Sequence, residues 1–451
     1  MTTFMSLVGI VVLLGIAFAA STNRKAINLR TVGIAFLLQV LIGGFVLFFE
    51  AGKNVLASMS LGVSSVIGYA NDGISFLFGS LASQDTLGFI FAIQVLPVIV
   101  FFSALVAVLY HIGVMDWIIK ILGGGLQKLL KTSRPESLSA TANIFVGQTE
   151  APLIVKPFIA SMTKSELFAV MVGGLATVAG SVMAGYVTIG VELKYLIAAS
   201  FMAAPGGFLM AKMIVPETET PKEDLADLDV QEEKPVNVID AAASGAANGM
   251  QLALNVGAML LAFVALIALL NGLFGGIGGL LASIGGWLIS LADLLDGSTV
   301  WAASVVDGIA SLFNGIGAWL KEVGALVSTL TLQMILGYVF APVAWLLGVP
   351  WDEAVIAGSF IGQKVVVNEF VAYLDFINYR DTLSAHTQAI VTFALCGFAN
   401  LSSIAILLGG LGGMAPSRRK DIARLGLRAV LAGSMANLMS AAIAGFFLSL
   451  A

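Results

Sequence analysis

Apolar residues run through this chain in long blocks. Stretches 3–21, 32–49, 88–110, 166–190, 193–214, 250–271, 386–413 and 425–449 each come close to or exceed the roughly 20 mostly apolar residues that cross a bilayer core as a helix, so eight spanning helices are predicted. The segments between them differ in kind. Residues 54–84 are Gly/Ser-rich yet apolar and predict a helix lying at the membrane surface. Residues 113–131 place their charge on one side of a helical repeat, again the pattern of an interfacial helix. Residues 216–236 are acidic and poor in apolar side chains, which predicts a solvated loop. Residues 275–325 are Gly-rich and weakly amphipathic, and predict helices at the outer surface, as an insertion.

Two further segments are too polar and too broken to be simple spans. Residues 136–163 carry Asn143, Gln148, Thr149, Glu150 and Lys156, with Pro152 and Pro157 each removing a backbone donor. Residues 351–378 carry Gln363, Lys364, Asn368 and Glu369. Both are read as re-entrant helical hairpins, because irregular backbone at membrane depth survives only when buried in protein or lining a wet cavity.

The two hairpins resemble each other. Pro135 to Gln148 ends Phe145-Val146-Gly147-Gln148; Pro350 to Gln363 ends Phe360-Ile361-Gly362-Gln363, with the same Pro-to-Gly spacing. Each is followed by a second match, Gly174-Leu175-Ala176-Thr177 against Gly397-Phe398-Ala399-Asn400. An odd number of predicted spans separates the copies, so they are inverted across the membrane. Inverted repeats that build a site at their interface are a recurring plan of secondary transporters.

Composition agrees with a bilayer as solvent. The chain is 59% hydrophobic and 11% charged, against about 25% charged in soluble domains. The net charge of −5 gives no sign of nucleic-acid binding. The single Cys396 excludes an intrachain disulfide, and His111 and His386 are too far apart to form a ligand-spaced pair. Residues 1–20 lack the basic start of a signal peptide; Arg24, Lys25 and Arg30 come after them, as expected of a first span ending in the cytoplasm. Threading eight spans with the N-terminus outside leaves only Lys53, Lys194, Lys321, Lys364 and Arg380 of the 22 basic residues outside. The positive-inside rule therefore puts both termini on the outer side.

Glu150 and Glu369 stand out chemically. A lone carboxylate at membrane depth is costly and by default marks function; the plainer alternative is that each caps a helix or pairs with Lys156 or Lys364. Gln148, Thr149, Asn368, Asn400 and Ser403 offer both donors and acceptors, as a hydroxyl-rich, uncharged solute such as a sugar or nucleoside requires. No Arg lies in either hairpin core or in 166–190 and 386–413, so there is no bidentate clamp for a carboxylate or phosphate. Phe398 is either packing or a stacking surface beside Asn400 and Ser403. Asn143 and Thr177 are short oxygen donors, suited either to local helix bonding or, with freed carbonyls, to an oxygen cage for Na⁺. The chain contains no phosphate-binding GxxxxGK[ST] loop and no HExxH zinc motif. A membrane enzyme or receptor using Glu150 and Glu369 as an acid–base pair is the reading from a different class.

The motifs Gly147-Gln148-Thr149-Glu150-Ala151-Pro152-Leu153, Ala179-Gly180-Ser181-Val182, Asn368-Glu369-Phe370-Val371-Ala372-Tyr373 and Cys396-Gly397-Phe398-Ala399-Asn400 resemble, in order, those of the concentrative nucleoside transporter family. The resemblance covers about residues 85–450, apart from 275–325. It implies an all-α polytopic membrane protein of inverted repeats, a homotrimer in the cell (inner) membrane. It also implies an elevator-type symporter driven by Na⁺ or H⁺, with no other cofactor and no enzymatic role. Residues 1–112 and 216–328 would supply scaffold, loop and insertion; 113–215 and 329–451 would be the two transport repeats. Carried over by position, substrate contacts fall on Gln148, Thr149, Glu150 and Val182 for the base. Glu369, Asn400 and Ser403 fall on the ribose, with Phe398 beside the sugar. Sodium ligands fall on Asn143, Val146, Thr177 and Val178, the two valines through their carbonyls. Thr177 stands where the family commonly has Ser, which keeps the oxygen and adds a methyl. Transport of nucleobases or other ribosides, coupled to protons, is the alternative within the same class.

Overall fold

The computed structural model describes residues 2–83, 88–221, 235–295 and 303–450, and every regular element in them is helical. In chain order these are α1 (Thr2–Ala19), α2 (Leu29–Leu47), α3 (Glu50–Gly68), α4 (Ala70–Phe78), α5 (Phe91–Gln94), α6 (Leu96–His111) and α7 (Val114–Leu130). Then follow α8 (Arg134–Ala142), α9 (Lys156–Ile159), α10 (Lys164–Ala176), α11 (Gly180–Thr188), α12 (Leu193–Ile214), α13 (Val238–Leu295) and α14 (Ala303–Thr329). The last six are α15 (Leu332–Leu346), α16 (Trp351–Val366), α17 (Glu369–Tyr379), α18 (Ala385–Leu395), α19 (Ser403–Met414) and α20 (Arg419–Leu448).

By length and composition, 7 helices among the described residues can cross a membrane, or 8 if the pair α14–α15, bent by 83°, counts as one. The protein is thus a multi-pass membrane protein. Two expected spans are not continuous. The stretch 166–190 is α10 and α11 separated at Thr177–Ala179, and 386–413 is α18 and α19 separated by Cys396–Ser402. Hydropathy does not see such breaks, because the interrupted residues stay apolar or small. Most of the predicted acidic loop, 222–234, lies outside the described residues. The predicted surface helix 54–84 is seen as α3 and α4 up to residue 83, and 113–131 as α7. Gly113 precedes α7 at φ 82, a left-handed conformation that favours glycine.

The same order of parts occurs twice. A preceding helix (α7, then α15) is followed by a helical hairpin (α8–α9, then α16–α17), a broken span (α10–α11, then α18–α19) and an unbroken one (α12, then α20). These repeated parts form the interior. The span Lys164–Thr188 and helix α12 are each 94% buried over their most apolar stretch, and Pro416–Leu448 is 78% buried. The spans α1, α2, α5–α6 and α13 are only 22–28% buried, leaving their apolar faces to the surroundings.

The segment 275–325 departs from expectation. It is not a set of weak surface helices: α13 runs unbroken for 58 residues, about 87 Å at 1.5 Å per residue, against a hydrocarbon core of roughly 30 Å. α14 packs back along its far end. Its glycines explain themselves there. Gly278 faces Gly324 and Gly285 faces Gly317, and a Cβ on Gly278 or Gly285 would stand 2.5 Å from the facing carbonyl oxygen. The buried Ala292 and Ala310 continue the two rows at the same heptad spacing. Small residues in register let the two backbones touch, as in close-packed membrane helix pairs.

Candidate functional site

The first hairpin is anchored at its base and irregular at its tip. Pro135 sits at the start of α8, where its missing N–H costs nothing. Glu136 accepts from the Ser133 N–H at 2.9 Å and pairs with the buried Lys212 of α12 at 2.7 Å. Lys212 also donates to Ser165 at 3.0 Å. α8 ends at Asn143, and the return strand of the hairpin is a single 3₁₀ stretch, Ala151–Val155, before α9. The second hairpin is more regular. α16 and α17 are full helices, and Asn368 caps α17 by accepting from the Val371 N–H at 2.9 Å.

The two broken spans meet at their breaks. The Phe398 N–H donates to the Thr177 carbonyl at 3.1 Å. Gly180 N–H donates to the Phe145 carbonyl at 3.0 Å, tying the first break to the first hairpin. Leu401 N–H donates to the Val365 carbonyl at 3.2 Å, tying the second break to the second hairpin. Asn437 of α20 bridges both: its amide donates to the carbonyls of Ala176 at 2.6 Å and Cys396 at 2.8 Å. Its amide oxygen accepts from the Lys364 ammonium at 2.6 Å, and Lys364 donates also to the Ala394 carbonyl at 3.0 Å.

Beside these crossed breaks lies a narrow cavity of about 110 Å³. Gln148, Thr149, Glu150, Val182, Glu369, Phe398, Asn400 and Ser403 all line it, so every substrate contact expected from the sequence comes together in one space. Glu369 as a whole is only 5% exposed. It accepts from the Tyr186 hydroxyl at 3.0 Å and the Asn400 amide at 3.1 Å. The Asn400 oxygen accepts in turn from Ser402 Oγ at 2.7 Å and the Ser403 N–H at 2.9 Å. The Ser403 hydroxyl donates to the Phe398 carbonyl at 2.6 Å. The buried Gln148 keeps its amide oxygen without a partner. Neither Glu150 nor Glu369 joins any ion pair among the described residues, so the expected alternative pairings with Lys156 and Lys364 are not formed.

Asn143 and Val146 lie just past the end of α8, Thr177 and Val178 at the break between α10 and α11, and all four are buried. The Asn143 amide donates to the Ser139 carbonyl at 2.9 Å, which leaves its oxygen buried without a partner. The carbonyls of Val146 and Val178 accept none of the hydrogen bonds found among the described residues. Thr177 Oγ donates back to the Gly173 carbonyl at 3.0 Å, and its lone pairs stay available. Neutral oxygens without a carboxylate fit a monovalent hard cation. Among the described residues no group of His, Cys, Asp or Glu could hold a transition metal.

Sequence reasoning missed Tyr186 and Phe370. Tyr186 sits inside an apolar run, and only the fold brings its hydroxyl to Glu369; its ring packs on Phe370 at 4.9 Å and Tyr373 at 4.6 Å. Asn368 lines the cavity but is already engaged as a cap.

Comparison with known proteins follows the same lines. Residues 8–81 match the Na⁺ dependent nucleoside transporter N-terminus, 92–192 a nucleoside-recognition gate, and 195–299 with 298–445 the Na⁺ dependent nucleoside transporter C-terminus. An uncharacterized transporter of Haemophilus influenzae is 54% identical over 457 residues, covering 100% of this chain and 99% of its own. The nucleoside permease NupC of Helicobacter pylori is 46% identical over 459 residues, with 100% and 99% covered. Among solved structures, CNTnw in an inward-facing, substrate-bound state is 55% identical with a TM-score of 0.87, covering 100% of this chain and 99% of its own. A CNTnw variant in an outward-facing state gives the same TM-score, 0.87. These matches run through 275–325, so that segment is shared with them and is no insertion peculiar to this chain.

Proposed function

Because this chain belongs to the Na⁺-dependent nucleoside transporter family, a family of transporters and not of enzymes, we propose that it is a secondary active symporter importing nucleosides on a cation gradient, Na⁺ in preference to H⁺. The observation that carries this is the Glu369 carboxylate, buried yet facing the cavity and held by Tyr186 and Asn400. An anionic acceptor fixed in this way suits the vicinal hydroxyls of a ribose, each of which donates. Asn400 and Ser403 flank it, Phe398 covers the sugar, and Gln148, Thr149, Glu150 and Val182 meet the base.

Sodium belongs at Asn143, Thr177 and the carbonyls of Val146 and Val178. Its link to the solute is short. Gln148 and Asn143 pack on the same glycine: a Cβ at Gly174 would meet Gln148 Cβ at 2.8 Å and Asn143 Oδ1 at 3.7 Å. A cation that orders the 143–147 turn therefore places Gln148, Thr149 and Glu150 for binding. Each ligand then pays part of the ordering cost of the other, which is positive coupling.

In this reading the buried unit of both repeats (113–215 and 329–451) carries the solute as an elevator past the scaffold of 1–112 and 216–328. The assembly is a homotrimer in the inner membrane with both termini on the outer side. The test is uridine and adenosine uptake into proteoliposomes with Na⁺ present or replaced by choline, at two pH values. Uptake that needs the Na⁺ gradient is expected. Uptake that follows only a pH gradient would move the coupling to protons. Uptake of free bases that ribosides cannot compete away would overturn the ribose role of Glu369.

A further inference from the structure

A second cavity adjoins the first. It shares Gly147, Thr149, Glu150, Ala179 and Leu252 with the solute cavity and is walled on its other side by α13. There α13 presents Asn248, Gln251 and Asn255 in succession on one face. Amides on an otherwise apolar spanning helix are unfavourable against lipid, and here they face this cavity instead. Gln251 donates to Asn255 Oδ1 at 3.1 Å; the Asn248 amide makes no hydrogen bond among the described residues. To the solute cavity α13 offers only apolar side chains, Leu252, Val256, Met259 and Leu260, and Leu252 lines both cavities. One helix thus shows an apolar face to the solute cavity and a row of three amides to the adjoining one.

We infer that Asn248, Gln251 and Asn255 form a transit subsite for the solute on the scaffold. It is a set of carboxamides that takes over hydroxyl and base-edge hydrogen bonds as the solute leaves Glu150 and Glu369. The inference rests on the nucleoside reading above. A carboxamide both donates and accepts, so the ladder suits a neutral solute carrying both kinds of group and offers nothing to a bare anion. Because it stands outside the site that grips the ribose, it acts on the rate of passage and not on the affinity at rest.

The experiment measures two things on the same purified preparations: uridine affinity by calorimetry in the presence of Na⁺, and initial uptake rate in proteoliposomes. N248A, Q251A and N255A are made singly, and N248L with N255L together to close the ladder with apolar bulk. Retention of the wild-type elution profile and melting temperature establishes folding. The expected result is uridine affinity within about twofold of wild type, with uptake slowed about fivefold or more in the double leucine variant and less in the single alanines. Unchanged uptake in the double variant overturns the subsite. So does a loss of affinity matching the loss of rate, which would make these residues part of the resting site or of the fold. A wild-type protein that binds no nucleoside overturns the substrate reading itself, and is distinguished by needing no variant.

Discussion

The two hairpins share a sequence pattern and a place in the repeat, yet they solve the same problem in opposite ways. Each ends beside a broken span whose freed carbonyls need partners. In the second repeat the chain supplies its own cation. Lys364 is 1% exposed and places its ammonium on the Ala394 carbonyl, at the C-terminal end of α18 where the helix dipole favours positive charge. Gln363, the counterpart of Gln148, donates to Asp375 at 2.6 Å, though its amide oxygen, like that of Gln148, is buried without a partner. In the first repeat Asn143 and Gln148 each keep a buried oxygen without a partner. One copy carries its own ammonium at the break; the other has no such built-in charge there. Duplication supplied the frame, and the built-in Lys364 ammonium separates the second, rigid half from the first, responsive one.

The largest effect is expected where the solute meets the rigid half. Glu369→Gln keeps the shape but turns an acceptor into a group that must donate toward Tyr186 or Asn400. Charged hydrogen bonds contribute about 1.5–3 kcal/mol each, so nucleoside affinity should fall about a hundredfold and uptake should vanish. Glu150→Gln, on a carboxylate with no ion-pair partner in the responsive half, should weaken binding less, by about tenfold. Equal losses in the two variants, read by calorimetry, would remove the distinction drawn between the hairpins.

Two buried lysines sharpen the comparison on stability. Lys212→Met strands the Glu136 carboxylate, which is 2% exposed; breaking one side of a buried ion pair costs about 3–5 kcal/mol. Lys364→Met strands only the neutral oxygens of Asn437 and Ala394 and should cost about 1–3 kcal/mol. Thermal unfolding in detergent should rank Lys212→Met below Lys364→Met, and the reverse order would mean that the Lys364 bridge, not the Glu136 anchor, holds the interior together.

How much of this was open to reading in the sequence depends on where the information sits. Long apolar blocks announce spanning helices whatever their surroundings, and α1, α2 and α12 lie close to the ranges expected. Pro152, Pro157 and the polar residues around them announce an irregular hairpin because proline acts locally. The breaks at Thr177–Ala179 and Cys396–Ser402 are different. They exist because Phe398 N–H and Thr177 carbonyl satisfy each other across more than two hundred residues, and because Asn437 reaches both. Nothing within either span's own window shows that. The partnership of Tyr186 with Glu369 is hidden for the same reason. The length of α13 was masked by its glycines, which read as loop or weak helix until the facing row on α14 is known.

The cation site allows the next test. Asn143→Ala removes the orphaned oxygen while leaving the Val146 and Val178 carbonyls. The half-saturating Na⁺ concentration for uptake should rise about tenfold, equivalent to about 1.4 kcal/mol, with little change in melting temperature. Gly358 holds the matching place in the second repeat, and its Cβ would meet the Gly337 carbonyl oxygen at 2.8 Å. Gly358→Ala should therefore act on stability and leave the Na⁺ dependence alone. If both substitutions shifted Na⁺ dependence equally, the ion would not belong to the first repeat.

The smallest and most discriminating difference lies between the two glutamines. Gln148→Met and Gln363→Met make nearly the same change of volume at equivalent positions. The first removes an amide whose oxygen faces no protein partner and whose residue lines the cavity. A single neutral hydrogen bond to solute contributes about 0.5–1.5 kcal/mol, so nucleoside affinity should fall about three- to tenfold. The second removes a bond to Asp375, away from the solute, and should leave affinity within about twofold while lowering the melting temperature slightly. Competition between purine and pyrimidine nucleosides separates the two further: only the Gln148 change should alter their ratio, since only that amide is placed to read the base. A shifted ratio in Gln363→Met would show that the rigid half also reads the base, and the division of labour between the hairpins would have to be redrawn.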